Sequence, residues 1–392
     1  SSGNDGVSIN TNSSASIENI EINSSGNNGI RLYQGASARI DETLIKGGKT
    51  GIRVSNNSAV EIFGSKITGY SRIGIEVDRN SSAGIGNDWD QDSYTLSQRA
   101  DYGNTLDGTA LSGASVEEWQ RGIQVSVSST VKLHRNLIEN NSGGGVRASE
   151  NSVIELGGGN IIQDNMHTES DGEVDGTGIE LRSGSTLEMW SYDQEREPNT
   201  ITRNGEYAFR VEGSHLDLRG GDDGSTQNNR LVISGHQTGI RASKGSKVTL
   251  ERVDVKDNTN GGIRISENSI LSVYDGGATI TGNGLIGGAC HDDSDYGLKI
   301  RDNSLAALDY ITVSNNCYGI NVETNSSLNG GGWAGNSSEI DYGMIIQGNL
   351  KNGIEVQTNS VLEVEYLLLG GSGTNEGNSS EYDDDALDVS RN

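Results

Sequence analysis

Apolar and polar residues alternate along this chain in short bursts, and the bursts recur every 22 or 23 residues wherever nothing is inserted. Residues 51–69, GIRVSNNSAVEIFGSKITG, show one period whole. Ile52 and Val54 enclose Arg53, Val60 and Ile62 make a second alternating pair, and Ile67 stands in a third segment. Alternation of period two predicts strands with one face buried. Asn56, Asn57 and Ser58 break the first from the second, and Gly64 and Ser65 break the second from the third.

The opening pattern of small, apolar, polar, apolar recurs at Gly6, Gly29, Gly51, Gly74, Gly122, Gly145, Gly178, Tyr207, Gly239, Gly262, Gly297, Gly319, Gly353 and Asp385, which makes 14 copies. Apolar residues follow nine and eleven positions later, as in Val131 and Leu133 or Val248 and Leu250. Sixteen positions later stands another: Ile22, Ile45, Ile67, Ile138, Ile161, Val255 and Val313. Six positions after the opening residue stands Asn or Gly, from Asn12 and Gly35 through Asn57 and Asn80 to Asn359, with Ser128 the exception. Both residues tolerate a left-handed backbone, which a corner that always turns the same way would select.

Three short strands per period, with fixed corners, predict an all-β solenoid whose windings bury their apolar residues only by stacking. Parallel crossovers take the right hand. The expected fold is therefore a right-handed parallel β-helix of about 14 coils, three short strands per coil, with loop insertions. A helical solenoid is excluded by 56 glycines in 392 residues and by the lack of a sustained 3.6-residue period. A propeller blade needs a period of roughly 40–45 residues. The unbroken repeat predicts a single β-helix domain over residues 1–392, itself part of a longer chain or assembly.

A net charge of −26 argues against nucleic acid as a partner. No run of about 18 apolar residues exists to enter a membrane. With a coil near each end and no capping helix, the expected partners are other copies of the chain or further domains at the coil ends. Cys290 and Cys317 precede successive opening glycines, a placement that suits a disulfide and, with it, an extracellular or cell-surface location. Two buried thiols are the alternative.

Insertions in a solenoid become loops, where contacts collect. The longest is residues 87–120; smaller ones are 166–177, 191–199, 220–229, 285–296, 330–341 and 370–384. Trp89, Trp119, Trp190 and Trp333 all lie in or beside them. Such rings stack on sugars or plug their own loops. Acidic residues gather there too. Asp88, Asp90 and Asp92 imitate half a calcium loop but lack its glycine and its closing glutamate, and Asp292, Asp293 and Asp295 form another cluster. Either can bind Ca²⁺ in irregular geometry or stay a solvated acidic surface; no other cofactor is implied.

The polar residue between the two apolar ones of each opening strand points outward, so stacking makes a ladder of them. Four consecutive rungs are basic: Arg210, Arg241, Arg264 and Lys299. Like charges about 5 Å apart repel, so this column needs either the nearby Glu212, Glu251 and Glu267 or an anionic ligand such as an acidic glycan.

The period, the Gly-Ile-x-Val strands and the Asn corners resemble the right-handed parallel β-helix superfamily, which includes pectate-lyase-like and polygalacturonase-like enzymes, phage tailspikes and bacterial surface proteins. The resemblance implies a carbohydrate cleft along one stacked face. The catalytic signatures do not follow it. Asp222-Asp223 and Gly235-His236-Gln237 match only fragments of the polygalacturonase pattern, and the ladder carboxylates Glu76 and Glu180 have no acidic neighbour. The expected function is an extracellular structural or adhesive component, a rod or filament subunit making contacts through loops. The alternatives are a polysaccharide lyase or glycoside hydrolase acting on an acidic glycan, and a non-catalytic carbohydrate-binding module.

Overall fold

The computed structural model describes residues 4–23, 25–86, 103–111, 117, 119–168, 172, 174–189, 198–221, 230–274, 276–290, 295–331, 343–365, 367–370 and 387–390. Every regular segment among them is a β-strand. The chain divides into two compact units, Ser1–Glu206 and Tyr207–Asn392. In the first, each winding gives one strand to each of three parallel sheets, and each sheet holds seven strands. The second unit repeats this plan, with seven described strands in its first sheet and six in each of the others. The architecture is the expected parallel β-helix.

Equivalent residues stack. Ile52 pairs with Ile30 and Ile75, and Arg53 pairs with Arg31 and Glu76. The isoleucine column is fully buried, and each side chain removed from water in this way contributes about 1.5–3 kcal/mol. The opening glycine has a packing reason. A Cβ on Gly51 would lie 2.6 Å from the carbonyl oxygen of Gly74 in the next winding and would also strike Ile67. The backbone of one winding thus rests on that of the next with no room for a side chain.

The corner after the first strand is left-handed, as expected: φ is 57° at Asn12, 61° at Asn57 and 58° even at Ser128. The preceding residue is left-handed as well, including Arg79, Glu150 and the β-branched Val127. Composition does not announce that second position, because these side chains accept the strain rather than relieve it.

Buried polar columns fasten the corners. Ser58, Ser81, Ser129 and Ser152 are buried, and the hydroxyl of each of the last three accepts the backbone N–H of the serine one winding before it. Asn104, Asn136, Asn160 and Asn199 form a second column, in which each Nδ2 donates to the next Oδ1 at 3.0–3.1 Å. Asn258, Asn283, Asn316 and Asn349 form a like column in the second unit, at the corner after the third strand and not before it. Satisfied networks of this kind fix register, because a slipped winding would strand buried amides.

Three expectations need correction. Ile161 does not face the core: it is 40 % exposed and Ile162 is fully buried. One extra residue in the preceding Gly-rich corner shifts the strand, so that Ile162 pairs with Ile138. The 87–120 insertion is not all additional, because Thr105–Asp107 within it is the third strand of its winding. The smaller insertions are also narrower than spacing suggested. Thr177 and Tyr296 open first-sheet strands, Gly331 closes a second-sheet strand, and hairpins pair His167–Thr168 with Val174–Asp175 and Leu285–Ile286 with Ala289–Cys290.

Candidate functional site

The basic column of the second unit is in register. Arg210 pairs with Arg241, Arg241 with Arg264, and Arg264 with Lys299. The rungs differ in their partners. Arg210 bridges to Glu212 at 2.6 Å, and the same carboxylate takes Lys244 at 2.7 Å. Lys299 reaches Glu323 at 3.3 Å. Arg241 donates to the Tyr207 hydroxyl at 2.6 Å and lies over that ring. Glu251 turns to Arg252 instead of the column, and no ion pair joins Glu267 to it among the described residues.

Arg264 stands between these groups with no hydrogen bond or ion pair among the described residues, and its Nε is buried without an acceptor. Burial pushes its guanidinium below the ordinary value, and the neighbouring Arg301 and Arg241 push the same way. An arginine still stays charged at any physiological pH. Strand stacking therefore sets Arg241 and Arg264 on neighbouring strands about 4.8 Å apart with no carboxylate at ion-pair distance among the described residues, Asp302 acting on Arg264 only from further away. An oxyanion is the complement such a pair lacks.

Past Lys299 the ladder changes sign. Asn321 pairs in register with Lys299 on one side and Glu355 on the other. The buried Glu355 accepts hydrogen bonds from the Tyr296 hydroxyl at 2.8 Å and from Asn321 at 3.3 Å. Burial raises the Tyr296 phenol well above its usual range, and the Glu355 charge adds to this. Burial does the same to Tyr70 of the first unit, whose hydroxyl donates to Asn141 at 2.5 Å. A phenol raised on folding contributes stability that is complete below the ordinary tyrosine value, about 10, and is lost as pH rises beyond it. Ultraviolet titration should therefore show Tyr70 and Tyr296 ionising only with alkaline unfolding. Tyr70→Phe and Tyr296→Phe should each remove one of this late class.

In the first unit a single carboxylate gathers three arginines. Glu180 is bridged by Arg121 at 3.3 Å, Arg147 at 3.4 Å and Arg182 at 2.5 Å. Burial lowers the Arg121 guanidinium from its ordinary value, and Arg147 adds to the effect against the pull of Glu180. Trp119, whose backbone carbonyl accepts from Arg121 at 3.4 Å, is 61 % exposed.

A groove of about 640 Å³ crosses the outer face of the second sheet of this unit. Its floor holds Ala59, Ser82 and Gly84, with Gly86 beside them. Glu61, Phe63, Lys132 and His134 stand around it. Phe63 carries the Arg39 guanidinium over its ring at 4.7 Å, and Lys132 bridges to Glu155 at 2.7 Å. The Glu61 carboxylate has no hydrogen bond or ion pair among the described residues.

The remaining sequence candidates divide. Cys290 and Cys317 form a disulfide with Cα atoms 5.0 Å apart. Asp295 is buried. Asp88, Asp90, Asp92, Asp292, Asp293, Trp89, Trp190, Trp333 and Asp222-Asp223 lie outside the described residues. Among the described residues no three His, Cys, Asp or Glu side chains gather as a metal site, and no helix is long and apolar enough to cross a membrane. His236 is buried at a corner, its N–H held by Asn258 at 3.1 Å. Sequence reasoning missed the Glu180 cluster and the groove. The serine column did leave a signal, since Ser58, Ser81, Ser129, Ser152 and Ser185 each stand seven residues after an opening glycine.

Residues 1–189 match the family model described as a right-handed β-helix region, in accord with the stacked parallel sheets. The search of curated proteins found no match. Among solved structures, the complex of the alginate lyase AlyF-OU02 with G6 aligns over 99 % of this chain and 88 % of its own, at 12 % identity and a TM-score of 0.33.

Proposed function

We propose that this chain is an extracellular structural and adhesive β-helix whose basic column, centred on Arg241 and Arg264, holds an acidic glycan without cleaving it. The observation that carries this reading is the register-paired Arg241 and Arg264, which have no ion-pair carboxylate among the described residues of a chain of net charge −26. Acidic side chains are plentiful, yet none described closes on Arg264. A polymer bearing carboxylate or sulfate groups would meet successive cations at the strand spacing. The disulfide supports an oxidising location, and the satisfied serine and asparagine columns suit a stiff scaffold.

Polygalacturonate and chondroitin sulfate are the probes. Arg241→Ala and Arg264→Ala should each weaken binding about tenfold, because a charge-assisted hydrogen bond is worth roughly 1.5–3 kcal/mol. Binding should fall with added salt, and no new reducing ends or unsaturated uronates should appear. Unchanged affinity in the double variant would remove the site. Products of cleavage would favour the lyase or hydrolase reading instead.

A further inference from the structure

We infer that the groove on the second sheet of the first unit is a separate binding site for a neutral oligosaccharide. It arises from one missing side chain. Arg39, Glu61, Gly84 and Lys132 occupy successive rungs of an outward column. Gly84 leaves a notch, so Glu61 and Lys132 face each other across two strand spacings, about 9.6 Å. Among the described residues, a Cβ built on Gly84 would meet only the Glu61 Cγ, at 3.9 Å.

The chemistry of the lining selects the occupant. Arg39 is bridged to Asp41 at 3.4 Å and Lys132 to Glu155 at 2.7 Å, so both basic groups of the lining are already matched and hold no polyanion, and Glu61 alone is too little charge to select a polycation. The volume suits a small ligand of several rings. The floor lies on a sheet face, where the backbone groups are spent in the ladder, so a peptide could not add as a strand. Among the described residues Phe63 is the one large apolar side chain projecting at the margin, too little for a hydrophobic ligand. It and the Ala59 methyl would meet the C–H face of a sugar ring. The Glu61 carboxylate would accept from its hydroxyls, and Lys132 and His134 would contribute polar contacts at the other rim.

The test is calorimetric titration of the whole chain with maltohexaose, cellohexaose, xylohexaose and hexagalacturonate. At least one neutral hexamer should bind, and Gly84→Leu should weaken it at least tenfold by filling the notch. Gly84 lies in an ordinary extended strand, and a side chain there would meet no described atom closer than the Glu61 Cγ at 3.9 Å, so this variant should unfold at the wild-type temperature. Ala59→Leu, on the exposed start of the neighbouring strand, should act alike and serves if Gly84→Leu misfolds. The Arg241→Ala/Arg264→Ala variant should bind the neutral sugar normally, which separates this site from the proposed polyanion strip. The inference is overturned if no neutral hexamer binds, if only hexagalacturonate binds, or if filling the notch leaves affinity unchanged.

Discussion

Replacing Glu180 with Ala is expected to destabilise the first unit by about 3–5 kcal/mol, the cost of breaking a buried ion pair by removing one partner. Glu180 is 5 % exposed, and the side chains of Arg121, Arg147 and Arg182 are only partly open to solvent. Without the carboxylate, three guanidinium groups would share one face with no anion between them. They cannot discharge by losing protons, since arginine holds its proton to very high pH. Equilibrium urea denaturation, followed by circular dichroism, should show the midpoint moving down at unchanged slope. Restoring the balance is the control. Glu180→Ala combined with Arg121→Ala should recover part of the loss, because the most buried of the three cations is then gone. A double variant no more stable than Glu180→Ala would show that the carboxylate acts by packing and not by charge.

The windings were legible because a solenoid writes its register locally. Ile52, Val54, Val60, Ile62 and Ile67 lie within one period, and the same spacings recur in the next. The left-handed corner at Asn57 was legible too, because backbone sterics restrict which residues stand there. Its partner position at Val127 or Glu150 was not, since neither residue type signals a positive φ. Contacts between windings were harder. Arg121 and Glu180 are 59 residues apart in sequence and meet only because a winding is skipped between them. The basic column could be aligned from the repeat, but not the neutralisation of each rung. Glu212 does close on Arg210, whereas Glu251, equally near in sequence, turns to Arg252. The groove was the least legible feature. It depends on the absence of a side chain at Gly84, and Glu61 and Lys132 face across that notch only once Thr105–Asp107, within the long insertion, is recognised as the third strand of the winding.

Asn160→Leu is expected to cost about 3–5 kcal/mol although the two side chains have similar volume. The loss is in hydrogen bonds and not in packing. The Asn160 Oδ1 accepts from the backbone N–H of Asn136 at 3.1 Å and from its Nδ2 at 3.0 Å. The Asn160 Nδ2 donates to Leu133, Gly157 and Asn199. Asn136 keeps one amide bond, to the carbonyl of Ile85, but its backbone N–H would have no partner. Each buried polar group stranded in this way costs roughly 1–3 kcal/mol, and the column passes the loss to both neighbours because it is continuous through Asn104 and Asn199. Thermal and urea unfolding measure the total. Amide hydrogen exchange locates it: protection should fall first at Asn136 and in the adjoining windings, and the serine column at the other corner should keep its protection. Uniform loss across the whole unit would instead mean that the windings unfold as one block, with the asparagine column no more than a share of their common stability.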